Sequence, residues 1–326
     1  MYRRSFLGVL GGGLAWPLAL RAQQALPVVG YLGSASPADW TFRVEAFNQG
    51  LSQAGFVDGR NVTIEFRWAE NHYERLRPLV DELIQKKVAV IVTPGSAPAA
   101  LVAKAATTTI PVVFETGADP VAAGIVPSLS RPGGNVTGIT ALAFELGPKR
   151  LDLLREAMPA AKSFAALFNP TAGDAAHQQV KDLRAAAAKL GVELQVLEAR
   201  TEDELSGAFV TLRAKKANGL VVIPDVLTNS KSSQLAELAL RNNVPAIFQT
   251  RGFAEAGGLM SYGGDIAESH RMAGAYAGRV LKGEKPADLP VIQASKVTLT
   301  VNTKVAKALG INLPLSLLGR ADEVIE

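Results

Sequence analysis

The sequence has no cysteine. That absence excludes disulfides, thiolate metal sites, a cysteine nucleophile and a lipoprotein anchor, which needs a cysteine at the processed N-terminus. Histidine is nearly as scarce. His72, His177 and His270 stand far apart on helix-like segments, with neither metal-ligand nor triad spacing, and are expected at the surface. No glycine-rich nucleotide loop follows a strand, because Gly30 and Gly33 have the wrong spacing and no third partner. Gly11-Gly12-Gly13 falls in the N-terminal leader, and there is no P-loop. No metal, cofactor or catalytic set is therefore expected.

A concentrated basic face is missing too. The net charge of +4 comes from 34 basic and 30 acidic residues. Three of the basic ones, Arg3, Arg4 and Arg21, precede the first acid, Asp39, and without them 31 stand against 30. This is no nucleic-acid footprint. The arginines belong to a stretch with a charged start, an apolar run from Phe6 to Leu20, and Arg21-Ala22-Gln23. That is the anatomy of an export signal over residues 1–22. The run is too short and too glycine-rich for a comfortable transmembrane helix. Arg3-Arg4-Ser5-Phe6-Leu7 also resembles a twin-arginine signal, and a general secretory signal fits equally. An exported, unanchored chain belongs in the periplasm.

What the sequence does have is alternation. Strand patterns at 27–33, 61–69, 88–93, 110–116 and 135–140 are separated by helical patterns. The order restarts with strands at 163–169, 192–199, 219–224 and 245–250. Ser36 with Asp39, Asn71 with Glu74, Thr201 with Glu204, and Asp265 with Glu268 have capping spacing at helix starts. The fold class predicted is α/β, with two doubly wound parallel-sheet lobes joined by a hinge that the chain crosses several times. The first lobe takes residues 27–140 and about 263–290. The second takes 141–262 and provisionally 291–326.

In open parallel sheets ligands bind beyond the carboxyl ends of the strands, so the strand tips carry the information. In the first lobe these are Ser34, Ser36, Asp39 and Trp40, then Gly95, Ser96 and Ala97, then Glu115, Thr116 and Asp119. In the second they are Asn169, Pro170 and Thr171, then Asp225, then Gln249, Thr250 and Arg251; Tyr262 and Asp265 lie near a crossing. The turn Gly95-Ser96-Ala97 would let free N–H groups at a helix start meet an anion, or Ser96 is only the cap. Asp225 has no visible capping duty and suits an ammonium group, or it is a solvated loop acid. Asp119, before Pro120, either starts a turn or contacts ligand. Tyr262 and Trp40 offer ring faces or simply pack. Alanine at Ser96 or Asp225 is expected to weaken binding and leave the fold intact.

Three stretches carry a resemblance: FNQGLSQAGFVDGRNVTIEFRWAE (47–70), IPVVFETGADPVAAGIVPSLSRPGGNVTG (110–138) and INLPLSLLGRADEVIE (311–326). The leader ending WPLALRAQQ is similar to family leaders as well. With these the chain resembles the bacterial ABC-transporter substrate-binding proteins once described only as a domain of unknown function, over essentially its whole mature length. The resemblance implies a type I periplasmic binding fold. It also implies capture of a small amino acid-like or acidic solute and delivery to a permease and ATPase in the inner membrane. By position the ligand contacts would be Ser34, Ser96 with Ala97, Thr116 with Asp119, Asn169, Asp225 and Tyr262. The chain departs from many relatives at Asn169-Pro170-Thr171-Ala172-Gly173, where a second Asn-Pro pair is common. The expected partners are thus a small-molecule ligand and the permease–ATPase pair, with no nucleic acid and a monomeric chain. A sensory module for a membrane receptor is the alternative, and an enzyme on this fold would need machinery that is not legible.

Overall fold

The computed structural model describes residues 26–326 apart from Leu142, Phe144 and Ser295. The leader expected over 1–22 lies outside the described residues. The chain starts with strand β1 (Val28–Gly33), helix α1 (Thr41–Gln53), β2 (Thr63–Trp68), α2 (Leu76–Gln85), β3 (Val90–Thr93), α3 (Ala97–Ala106), β4 (Val112–Thr116) and β5 (Val136–Thr140). After a first crossing it continues with α4 (Gly147–Ala157), β6 (Ser163–Phe168), α5 (Asp174–Leu190), β7 (Glu193–Glu198), α6 (Glu202–Ala214) and β8 (Leu220–Val222). Then come α7 (Val226–Ser230), α8 (Ser232–Arg241), β9 (Ala246–Phe248), α9 (Arg251–Glu255) and β10 (Met260–Gly264). The last elements are α10 (Ile266–Leu281), β11 (Ile292–Gln293), β12 (Val297–Asn302), α11 (Thr303–Ala308), α12 (Leu315–Leu318) and β13 (Glu323–Ile325).

Two sheets result. The first runs β2-β1-β3-β4-β5-β11 and the second β7-β6-β8-β9-β10-β12-β13. All pairs are parallel except β10 with β12, where Met260 faces Val301. The order reverses between β1 and β3 in one sheet and between β6 and β8 in the other, so each lobe has a crevice at those tips. Strand β3 shows why both faces are covered. Ile91 packs with Leu76, Val80 and Leu83 of α2, whereas Val90 and Val92 pack with Phe47 of α1 and Ala277 of α10.

The second lobe is built alike. Leu151, Leu183 and Val305 from α4, α5 and α11 cover one face, and Leu205 and Leu235 from α6 and α8 the other.

Helix α10 returns to the first lobe and lies against α1 with almost no space between the backbones. A Cβ on Gly50 would sit 1.8 Å from the Arg271 carbonyl oxygen, and one on Gly274 2.0 Å from that of Phe47. The sequence pattern puts Val44, Phe47, Leu51 and Ala54 on the inner face of α1; Phe47 and Leu51 are buried there together with Arg43, Ala46 and Gly50, and Val44 packs half-buried on the same core.

Among the described residues the chain passes between the lobes after β5, at Asp265, and between β11 and β12. The provisional boundary at 291 falls too early, because Ile292 and Gln293 pair with Ile139 and Thr140 of the first sheet. At the first crossing Arg150 is fully buried and donates to the Tyr262 carbonyl (2.8 Å) and the Ala143 carbonyl (3.0 Å). Three of the four capping pairs are made: Ser36–Asp39, Thr201–Glu204 and Asp265–Glu268. Asn71 is the exception. It takes a left-handed φ of 66° in the turn before Tyr73, and its N–H donates to the Ser34 carbonyl.

Candidate ligand cleft

At the tip of β3 the chain must turn under Trp40. Gly95 has φ 67°, a region open to glycine, and a Cβ there would meet the Trp40 ring at 2.4 Å. Ser96 then caps α3, accepting the Ala99 N–H at 3.2 Å. The expectation of a free anion seat at this turn needs correction. The Gly95 N–H donates to Glu115 Oε2 at 2.7 Å, and the Ser96 N–H to the Glu115 carbonyl at 3.3 Å. A carboxylate of the chain itself, from the tip of β4, already occupies the place an anion was expected to take.

Glu115 also reaches α10. Its Oε1 accepts the Ser269 hydroxyl at 3.1 Å, and Oε2 lies 3.7 Å from His270 Nε2. His270 is not a surface residue: it is 1% exposed. Its Nδ1 sits 2.9 Å from the Ile266 carbonyl, which can only accept, so Nδ1 carries the proton. Burial pushes the imidazole below its ordinary pKa, and Glu115 opposes that pull. Trp40 stands edge-on to His270, with centroids 5.8 Å apart, and the Arg43 guanidinium lies over the same Trp40 ring, 4.6 Å from its centroid.

The facing wall comes from the second lobe. Asn169, at the tip of β6, donates from Nδ2 to Asp225 Oδ2 at 2.8 Å and accepts from the Thr171 N–H and hydroxyl. Asp225, at the tip of β8, does have a capping duty. Its Oδ1 accepts the Thr228 N–H at 2.7 Å while the Thr228 hydroxyl receives the Asp225 N–H at 2.9 Å. The short helix α7 starts at once, with Val226. Burial raises the Asp225 pKa, and the Thr228 and Asn169 bonds hold it back. Nearby, Gln249 Nε2 donates to Asn229 Oδ1 at 2.6 Å.

The two walls touch. Trp40 and Ala35 of the first lobe pack with Val226 of the second, and Tyr73 packs against both. The Tyr73 phenol is pushed up by burial and by the Asp225 charge across the cleft. Between the walls lies a cavity of about 60 Å³, several times the ~10–15 Å³ one water needs.

Of the residues expected at the site, Ser96, Ala97, Thr116 and Asp225 line this cavity. Thr116 also accepts the Ala118 N–H. The other four are elsewhere. Ser34 is fully buried at the tip of β1. Asp119 accepts the Val121 and Ala122 N–H groups and shapes the turn at Pro120. Asn169 reaches the cavity only through Asp225, and Tyr262 packs its ring into the second lobe's core. Arg43, Tyr73, Asn229 and His270 line the cavity as well and were not anticipated. Arg43 had a signal: an arginine four residues before Phe47 and eight before Leu51 falls on the apolar face of α1.

The family match spans residues 39–325 and is described as ABC transporter substrate binding protein. The chain belongs to this family. Its members are substrate-binding proteins, and the family is not one of enzymes. A tyrosine-binding protein of Clostridioides difficile is 30% identical over 266 residues, 81% of this chain and 75% of that protein. The ABC domain from Streptococcus pneumonia in complex with L-Trp superposes with a TM-score of 0.81 at 26% identity, covering 92% of this chain and all of that one. A ligand-free, open substrate binding protein from Clostridium difficile, at 27% identity and with 92% and 99% coverage, gives 0.63. The family's two-lobed, type I periplasmic binding fold is the one seen here, and the higher overlap with the complex goes with lobes that touch across the cleft.

Proposed function

We propose that this chain is the solute receptor of an ABC importer, which closes its lobes on a free amino acid or similar small acid and presents it to a permease–ATPase pair. The observation that carries this reading is the cavity lined from both lobes, with Arg43 on one side and Asp225 on the other and with Trp40 resting on Val226. A ligand that touches both walls favours the closed state by its differential affinity. Small side chains at Ala141, Ala143, Ala172 and Ala175 leave room for a bulky substituent. The tyrosine- and L-Trp-binding relatives make aromatic amino acids the first candidates. On this reading the Asp225 carboxylate, which accepts one bond on each oxygen, takes the ammonium group with its remaining lone pairs, and Ser96, Ala97 and Thr116 approach from the first lobe.

Titration calorimetry of the purified chain against L-tryptophan, L-tyrosine and the other free amino acids tests the reading. At least one is expected to bind at micromolar concentration or below and to raise the melting temperature. A full panel of amino and small organic acids without effect would sink it. Export to the periplasm is the location the leader points to, and fractionation of the producing cells checks it.

A further inference from the structure

Arg43 is a buried cation that no anion touches among the described residues, although the charges of Glu115 and Asp39 act on it from a distance. It is 3% exposed, its Nε–H meets no acceptor, and its guanidinium makes no hydrogen bond or ion pair among the described residues. The rings of Trp40 and Phe42, at 4.6 and 5.3 Å, hold it on their faces. Arg150, the other buried guanidinium among the described residues, is settled differently, with two carbonyl acceptors.

The acids near Arg43 spend hydrogen bonds on other groups and make none with it among the described residues. Glu115 takes the Gly95 N–H and the Ser269 hydroxyl, and Asp39 accepts the Ser36 hydroxyl at 2.7 Å. Burial lowers the pKa of Arg43 to about 10, with Glu115 opposing, which leaves the group charged at neutral pH. A buried guanidinium whose N–H groups find no acceptor is costly, and this one borders the cavity.

We propose that Arg43 is the clamp for the ligand's carboxylate, and that it restricts the cleft to free acids. The inference rests on the capture reading above and sharpens its substrate class. At the α3 turn the Gly95 N–H is already taken by the Glu115 carboxylate and the Ser96 N–H by the Glu115 carbonyl, whereas a guanidinium offers a carboxylate two parallel N–H donors. Carboxylate on Arg43 of the first lobe and ammonium on Asp225 of the second set the ligand across the cleft. Amides, esters and decarboxylated amines leave Arg43 bare and are excluded with the nucleosides and sugars.

The test is calorimetry on the mature chain and on Arg43→Lys, Arg43→Gln and Arg43→Met, with L-tyrosine, L-tyrosinamide and tyramine and the three tryptophan counterparts. The wild type should prefer the acid over amide and amine by about 100-fold or more. Arg43→Gln and Arg43→Met should lose that factor for the acid alone, and Arg43→Lys should keep part of it. Equal binding of acid and amide by the wild type, or a preference that survives in Arg43→Gln, overturns the clamp. So does a best ligand without a carboxylate, which would leave capture standing. If none of the six binds, the ligand-free melting temperatures decide. Arg43→Met melting above wild type marks a cation kept for a partner, and melting at or below wild type marks a structural one and overturns the proposal.

Discussion

Asn169 and Asp225 stand at the tips of neighbouring strands β6 and β8 and are bonded to each other at 2.8 Å. They flank the point where the second sheet reverses its order, and the bond turns a crevice into a fixed surface. Asp225 therefore has two duties. Asp225→Ala should lower stability by about 1–3 kcal/mol, through loss of a cap and a stranded buried amide, and should weaken ligand binding too. Asp225→Asn keeps an oxygen for the cap and should retain more stability while losing the charge. Urea unfolding beside calorimetry separates the effects, and an unchanged midpoint for Asp225→Ala would contradict the cap.

Gly95→Ala should cost about 1–3 kcal/mol from overpacking alone, with the left-handed backbone adding to it. The methyl group points into Trp40, so the strain should spread to the cleft and reduce affinity. Wild-type stability in this variant would show that the β3 tip relaxes freely.

Val226→Ala removes the second lobe's contact with Trp40 while leaving the Asp225 cap in place. Closure should become less favourable and affinity should fall by about tenfold, since 1.4 kcal/mol is a factor of ten. Small-angle scattering of the ligand-free variant should shift toward a more open particle. An unaltered profile with unaltered affinity would place the closing force elsewhere.

His270 gives the fold an acid-sensitive point. Its pKa is lowered first by burial and further by Arg43, with Glu115 and the Ile266 carbonyl pulling the other way. The unfolded chain, with an imidazole near 6.5, binds the proton more readily than the folded one. The contribution of the neutral ring is thus complete above about pH 6.5 and is lost as pH falls from there toward the depressed folded value. Melting temperature should drop between pH 7.5 and 5.5, and His270→Gln should flatten that limb. A variant with the wild-type slope would assign the loss to other groups.

The alternation of periods made the strands and the two lobes legible, since Ile91 against Val90 and Val92 declares a strand covered on both faces. Four of the eight expected ligand contacts line the cavity for the same reason, being strand tips. The remainder depended on tertiary partners. Asn71 matches a cap by spacing but occupies a left-handed turn. Glu115 was visible at its tip, yet nothing local says that its carboxylate bends back to the Gly95 N–H. His270 lies on α10 far along the sequence, and only the packing of α10 on α1 brings it to the cleft.

That packing also fixes an order of events. The face of the first sheet formed by Val90, Val92 and Val113 is roofed by α1 together with α10, and α10 is residues 266–281. The opening half of the polypeptide therefore waits, with an oily sheet bare, until most of the other half has emerged from ribosome or translocon. A fragment cut after β5 would carry nearly all the first lobe's strands and still lack its lid, and it should aggregate where the whole chain folds.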